Sequence, residues 1–229
     1  MGELLGALGL AWPRLLLYPG GIFALGASWL LARWLRWCTG QPPLSLPPLT
    51  LSDHINVLPP LIVLTLLPLA PAANFPYGID LVVAVSLLEW PQLCATNQPP
   101  PERGALVRRY GPLILAGLGM LEGAGSMTLS DLVMWPTAWP ARVLLLGGAG
   151  LWLAALPRLL ADPATQRPAG QCRALGLLLL GTLPLSGALT AWANAALPTT
   201  LTGWLIPPIA YLGAALVLGG VLRLRQAKA

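Results

Sequence analysis

The stretch PPPERGALVRRYGPLILAGLGMLEGAGSMTLSDLV, which runs from Pro99 to Val133, decides the fold class of this chain. It begins with a turn-rich polar segment that carries three arginines, continues as an apolar run that contains Glu122, and ends in a polar turn. A segment that passes from basic to apolar to polar is typical of a membrane crossing, because basic residues collect at the cytoplasmic end. Residues 106 to 125 are therefore predicted to cross a membrane.

The composition of the whole chain agrees with this prediction. The 229 residues are 56% hydrophobic and only 9% charged, and the mean hydropathy is +0.71. Soluble domains carry about 25% charged residues, so the sequence predicts an integral membrane protein. The net charge of +5 does not favour nucleic-acid binding, because the basic residues lie at the ends of apolar runs. Contacts with anionic lipids and control of topology explain that placement better.

The apolar runs predict one all-α domain, residues 1 to 229, with about seven transmembrane helices. The predicted crossings are Arg14–Trp37, Ile55–Pro71, Tyr77–Leu93, Leu106–Gly125, Ala141–Leu156, Arg173–Ala195 and Trp204–Leu222. This count separates eleven basic residues on one side of the membrane from two on the other. The larger group is Arg33, Arg36, Arg103, Arg108, Arg109, Arg158, Arg167, Arg173, Arg223, Arg225 and Lys228, and the smaller is Arg14 and Arg142. The positive-inside rule then places the N-terminus outside and the C-terminus in the cytoplasm of a bacterial inner membrane.

Three acidic residues are predicted at or near membrane depth, and they are candidates for a proton path: Asp80, Glu89 and Glu122. Asp80 and Glu89 would lie about 13.5 Å apart along one helix and on opposite faces. An acid near a helix end commonly reaches the lipid headgroups, which is the simpler interpretation of Asp80 and Glu122. Glu89 precedes Trp90 near the inner helix end, and two interpretations stay open: an interfacial acid of the same kind, or a functional carboxylate that relays protons or pairs with Arg108 or Arg109.

Further candidates lie at the predicted cytoplasmic boundary, where they would contact a partner subunit or a quinone. They are Arg108, Arg109, Tyr110, Arg158 and Arg167. Arg103, Arg108 and Arg109 either mark the boundary or dock an acidic partner. The longest cytoplasmic loop of the second half is predicted from Pro157 to Cys172.

The polar end of the opening stretch and a glycine-rich run favour structural roles. Ser126, Ser130 and Asp131 are typical of an exit turn with a helix cap. Gly147, Gly148 and Gly150 are expected to allow close approach of another helix.

The sequence does not favour an autonomous enzyme. Three widely spaced cysteines and a single histidine, His54, predict no metal site. No nucleophile–base pair and no phosphate-binding glycine loop can be identified. We therefore expect no catalytic residue and no cofactor bound by this chain.

Segments two to five carry a family resemblance. Ser52-Asp53 leads into VLPPLIVLTLLPLAP, then YGIDLVVAVSLLEW, then an arginine-containing loop, and finally AGSMTLSDLV. This order resembles the membrane subunit of respiratory complex I (subunit 1, or H) and its relatives in membrane-bound hydrogenases. The resemblance implies a scaffold that links a peripheral electron-transfer arm to the membrane, with a quinone at an interface with partner subunits. Where the family has a functional glutamate near the start of the fourth crossing, this chain has Tyr110, and its loop 157–173 is basic.

Two other classes of protein stay open at this point. One is a small standalone transporter, against which the sparse intramembrane polar residues count. The other is an accessory subunit of a photosynthetic complex, against which the lack of a histidine in the middle of a predicted helix counts.

Overall fold

A computed structural model describes residues 21–41, 51–67, 79–93, 103–160, 167–194 and 198–226. Its elements are helices, apart from one isolated β-bridge within these ranges. They are α1 (Gly21–Cys38), α2 (Leu51–Leu66), α3 (Leu81–Leu93), α4 (Arg103–Ala124), α5 (Leu129–Leu132), α6 (Trp139–Leu160), α7 (Pro168–Ala193) and α8 (Thr199–Gln226). The predicted all-α class is confirmed for this part of the chain.

Three of the described helices are long and apolar enough to cross a membrane. They are α6 with 22 residues, α7 with 26, and residues 205–224 of α8 with 20. At 1.5 Å per residue, 20 residues span the hydrocarbon core of about 30 Å. Only 22% of the α8 segment is buried although its mean hydropathy is 2.0. An apolar surface of that extent is stable against lipid, so the structure agrees with a helical membrane protein.

The other predicted crossings coincide with α1, α2, α3 and α4, with shifted bounds. Helix α3 has 13 residues and measures about 20 Å at 1.5 Å per residue. Residues 14–20, 68–71, 77–78 and 195 of the predicted crossings lie outside the described residues. The predicted loop from Pro157 to Cys172 is shorter than expected, because α6 continues to Leu160 and α7 begins at Pro168.

Helix α7 forms the centre of the bundle and contacts α1, α2, α3, α5, α6 and α8. Glycines on α7 allow these neighbours to come close. A Cβ atom on Gly176 would overlap the Leu88 side chain, and one on Gly181 would lie 2.5 Å from Trp152 Cδ1. The indole N–H of Trp152 donates to the carbonyl of Leu177 at 2.8 Å in the buried interior. Helix α7 therefore runs through the core with most of its surface covered.

The polar turn after α4 connects the end of that helix to the start of α3. Gly125, with φ +67°, ends α4, as glycine does at many helix C-termini. The turn then pairs with the residues before α3: Leu81 N–H donates to the Met127 carbonyl at 2.9 Å, and Leu129 N–H to the Ile79 carbonyl at 3.1 Å. The predicted exit turn thus also positions the start of α3.

Candidate functional site

A buried ion pair between Glu89 and Arg173 is the principal polar feature of the described bundle interior. Arg173 Nη2 lies 2.8 Å from Glu89 Oε1, and Arg173 Nε donates to the same oxygen at 2.9 Å. Arg173 is completely buried, and Glu89 is 8% exposed. A charge is costly to bury alone, so each of these residues makes the burial of the other tolerable.

Two more helices contribute to this site. The hydroxyl of Tyr110 on α4 donates to Glu89 Oε2 at 2.8 Å. Arg173 Nη1 reaches the carbonyl of Leu159 on α6 at 3.4 Å. Both carboxylate oxygens of Glu89 therefore have donors, and the polar cluster Glu89–Tyr110–Arg173 joins α3, α4, α6 and α7.

The local sequence explains why these side chains meet. Glu89 lies four residues before the end of α3, and Arg173 is the sixth residue of α7. One turn beyond Arg173, Gly176 leaves room for the Leu88 side chain of α3. Because glycine brings the two helices close at this level, the adjacent carboxylate and guanidinium can pair directly.

The partner of Glu89 differs from the predicted one. Arg108 and Arg109 were the expected partners, but the structure places Arg173 there. Arg108 is exposed, and the Arg109 guanidinium lies 5.6 Å from the centre of the Tyr110 ring. Glu89 does pair with an arginine, but that residue is Arg173 and not Arg108 or Arg109.

Sequence reasoning missed Arg173 because it counted this residue among the boundary arginines. A signal was nevertheless present in the sequence. Arg173 begins the apolar run RALGLLLLG, and Glu89 is the only charged residue of α3. A lone acid and a basic residue beside a long apolar run are candidates to pair inside a membrane bundle.

Asp80 and Glu122 are not part of the polar cluster. Asp80 lies one residue before α3 and accepts the Val83 N–H at 2.7 Å, which is the bond of a helix N-cap. The prediction that Asp80 and Glu89 share a helix is therefore wrong by one residue. Glu122 is exposed, two residues before the end of α4.

Arg158 and Arg167 are exposed at the ends of helices. Arg158 is in the last turn of α6, and Arg167 precedes α7 as its N-cap residue. Both are accessible at the same end of the bundle as Glu89. They form a surface that is separate from the buried cluster.

The cluster lacks the composition of a metal site. Within the described ranges, no group of three or more His, Cys, Asp or Glu side chains converges. In this cluster the guanidinium neutralises the carboxylate, and the phenol donates a hydrogen bond through which a proton can be exchanged. No family model, no curated protein and no solved structure matches the chain.

Proposed function

We propose that this protein is a membrane-embedded scaffold subunit of a multi-subunit oxidoreductase similar to respiratory complex I or a membrane-bound hydrogenase. The observation that carries the proposal is the buried Glu89–Arg173 pair with its Tyr110 donor. A carboxylate held inside the bundle by a guanidinium and a phenol fixes the helices relative to one another. A rigid bundle of this kind suits a subunit that connects a peripheral arm to the membrane.

The resemblance to the complex I subunit supports the placement of this carboxylate. At the position where the family has its glutamate on the fourth crossing, this chain has Tyr110, whose hydroxyl lies 2.8 Å from Glu89 Oε2. A carboxylate therefore remains within one hydrogen bond of the family position, although it belongs to α3. Glu89 and Tyr110 are the remaining candidates for a proton path or a quinone contact. Anchoring is the primary role because both carboxylate oxygens are already engaged.

The proposed docking surface for the peripheral arm consists of exposed arginines at one end of the bundle. Arg108 and Arg158 are exposed, as is Arg167. Guanidinium groups at helix ends favour an acidic partner surface. Arg173, which was predicted among the cytoplasmic basic residues, is buried in the core and does not belong to this surface.

The proposed topology has seven crossings, an outside N-terminus and a cytoplasmic C-terminus in a bacterial inner membrane. The ends of α1 and α8 support it. The Arg223 guanidinium of α8 lies 3.9 Å from the centre of the Trp37 ring of α1. The C-terminal ends of the first and last described helices are thus on one side, as an odd number of crossings between an outside N-terminus and a cytoplasmic C-terminus requires.

Purification of the tagged protein from its native membrane in a mild detergent tests the proposal. We expect subunits that carry flavin or iron–sulfur clusters to co-purify in fixed proportion. A triple variant, Arg108→Glu, Arg158→Glu and Arg167→Glu, should lose the peripheral subunits and retain its membrane neighbours. A chain that purifies alone, or only with proteins that lack redox centres, would show the proposal to be wrong.

A further inference from the structure

An apolar groove of about 830 Å³ opens on the surface between α6, α7 and α8. Every residue that lines it is apolar or glycine, and several are small: Gly150 and Ala154 on α6, and Gly213 and Ala214 on α8. Gly150 and Gly213 have no atom within 4 Å of the position of a Cβ. The groove is therefore an open channel along the helices.

The length of the groove matches one leaflet of a bilayer. Its lining extends from Leu146 to Pro157 on α6 and from Ile209 to Val221 on α8. At 1.5 Å per residue these segments measure about 16 Å and about 18 Å. Half of the hydrocarbon core is about 15 Å. An extended lipid acyl chain fits this length.

A positive charge lies at one end of the groove. Arg158 follows the lining residue Pro157, is one helical turn beyond Ala154, and is exposed. The contacts Trp152–Leu177 and Leu159–Arg173 show that α6 and α7 run in opposite directions, and the Thr202–Asn194 hydrogen bond places the start of α8 beside the end of α7. Helices α6 and α8 therefore run in the same direction. Arg223, two residues after Val221, is therefore near the same end. An apolar channel with basic side chains at one end complements a lipid with an anionic head group.

The lining and the charge at its end favour a lipid over a transmembrane helix as the occupant, because an apolar groove suits an acyl chain and the exposed Arg158 suits a phosphate. We propose that the groove binds an anionic phospholipid of the leaflet on the Arg158 side, with an acyl chain along α6 and α8 and the phosphate at Arg158. This site is separate from the Glu89–Tyr110–Arg173 cluster and does not depend on the proposed scaffold function.

Native mass spectrometry of the full chain tests this proposal, with phosphatidylglycerol and phosphatidylcholine of identical acyl chains as probes. We expect phosphatidylglycerol to be retained in preference to phosphatidylcholine. Arg158→Gln should weaken phosphatidylglycerol binding about fivefold, the effect of one basic residue near a membrane surface. Arg108→Gln removes another exposed arginine from the same end of the bundle and should leave the preference unchanged.

Filling the groove provides the second arm of the test. Gly150→Leu should reduce binding of both lipids, whereas Gly147→Leu should not, because Gly147 is equally open but does not line the groove. Gly213→Leu repeats the test from the α8 side if Gly150→Leu fails to fold. Equal retention of the two lipids would overturn the proposal. Unchanged lipid binding in Gly150→Leu and Gly213→Leu would also overturn it. So would the finding that these variants release a bound second copy or another protein and not a lipid.

Discussion

Glu89 and Arg173 are 84 residues apart in the sequence, and Arg173 Nε donates to Glu89 Oε1 at 2.9 Å in the buried interior. This contact fixes the short helix α3 against the central helix α7. It also leaves Glu89 Oε2 for Tyr110 and the Arg173 Nη1 atom for the Leu159 carbonyl. Four helices therefore depend on one pair of opposite charges.

The Tyr110 hydrogen bond is predicted to stabilise the bundle. Tyr110→Phe removes the donor to Glu89 Oε2 and should lower the free energy of unfolding by about 1.5–3 kcal/mol, the usual range for a hydrogen bond to a charged group. Tyr211→Phe is the matched control, since Tyr211 is also half-buried and has no hydrogen bond within the described ranges. Unfolding in mild detergent measures both. Equal stability of the two variants would mean that the Tyr110 bond contributes nothing.

Neighbouring glycines of α6 should respond in opposite directions to alanine. A Cβ on Gly148 would lie 2.7 Å from the Ala116 carbonyl oxygen and 2.7 Å from Met120 N of α4. Gly148→Ala should therefore destabilise by about 1–3 kcal/mol through overpacking. Gly147 faces open space, so Gly147→Ala should stabilise by up to about 1 kcal/mol. Thermal unfolding of the two variants checks the α4–α6 contact, and similar melting temperatures would contradict it.

The polar turn before α6 should be sensitive to acid. Hydrogen bonds from Ser126 and Thr128 hold the pKa of Asp131 below its ordinary value of 3.8. Because the folded-state pKa is depressed, the stabilisation is present above the unfolded value and is lost as pH falls through the folded value.

The measurement is the melting temperature of the wild type and of Asp131→Asn between about pH 6 and about pH 3. The wild type should be more stable at the upper end, and the difference should shrink towards the lower end. A difference that grows as the pH falls would contradict the assigned direction.

Glu89→Gln separates anchoring from proton transfer in the proposed oxidoreductase complex. Because both carboxylate oxygens are held by donors, we expect less assembled complex but the wild-type ratio of protons translocated to electrons transferred. Glu122→Gln, the same chemical change at an exposed position outside the polar cluster and the docking surface, should affect neither. Normal assembly with a reduced proton ratio would identify Glu89 as a relay instead.

Composition was sufficient to predict a helical membrane protein, because apolar content and scarce charge depend on the whole chain and not on its detailed packing. Glu89 could be selected because an acid in an apolar helix is energetically conspicuous. Its partner was missed, because the pairing joins residues 84 positions apart and the apolar run after Arg173 was the sole sequence signal for it. The positive-inside rule also treats every arginine as a boundary residue, which concealed Arg173.

The sequence also could not predict how each helix is rotated about its own axis. Gly147, Gly148 and Gly150 were all expected to allow close approach, yet only Gly148 lies against another helix backbone. Its neighbours face outward, and Gly150 lines the groove. Without knowledge of which face of α6 meets α4, the three glycines are equivalent in the sequence.

A double-mutant cycle on Glu89 and Arg173 tests the central claim, that this pair holds the bundle together. The variants are Glu89→Gln, Arg173→Met and their combination, with the free energy of unfolding measured in one detergent. Each single change should cost about 3–5 kcal/mol, because it leaves a buried charge without its partner. The double variant should cost clearly less than the sum of the two. Additivity within about 0.5 kcal/mol would show that the two side chains do not interact, and it would contradict the claim.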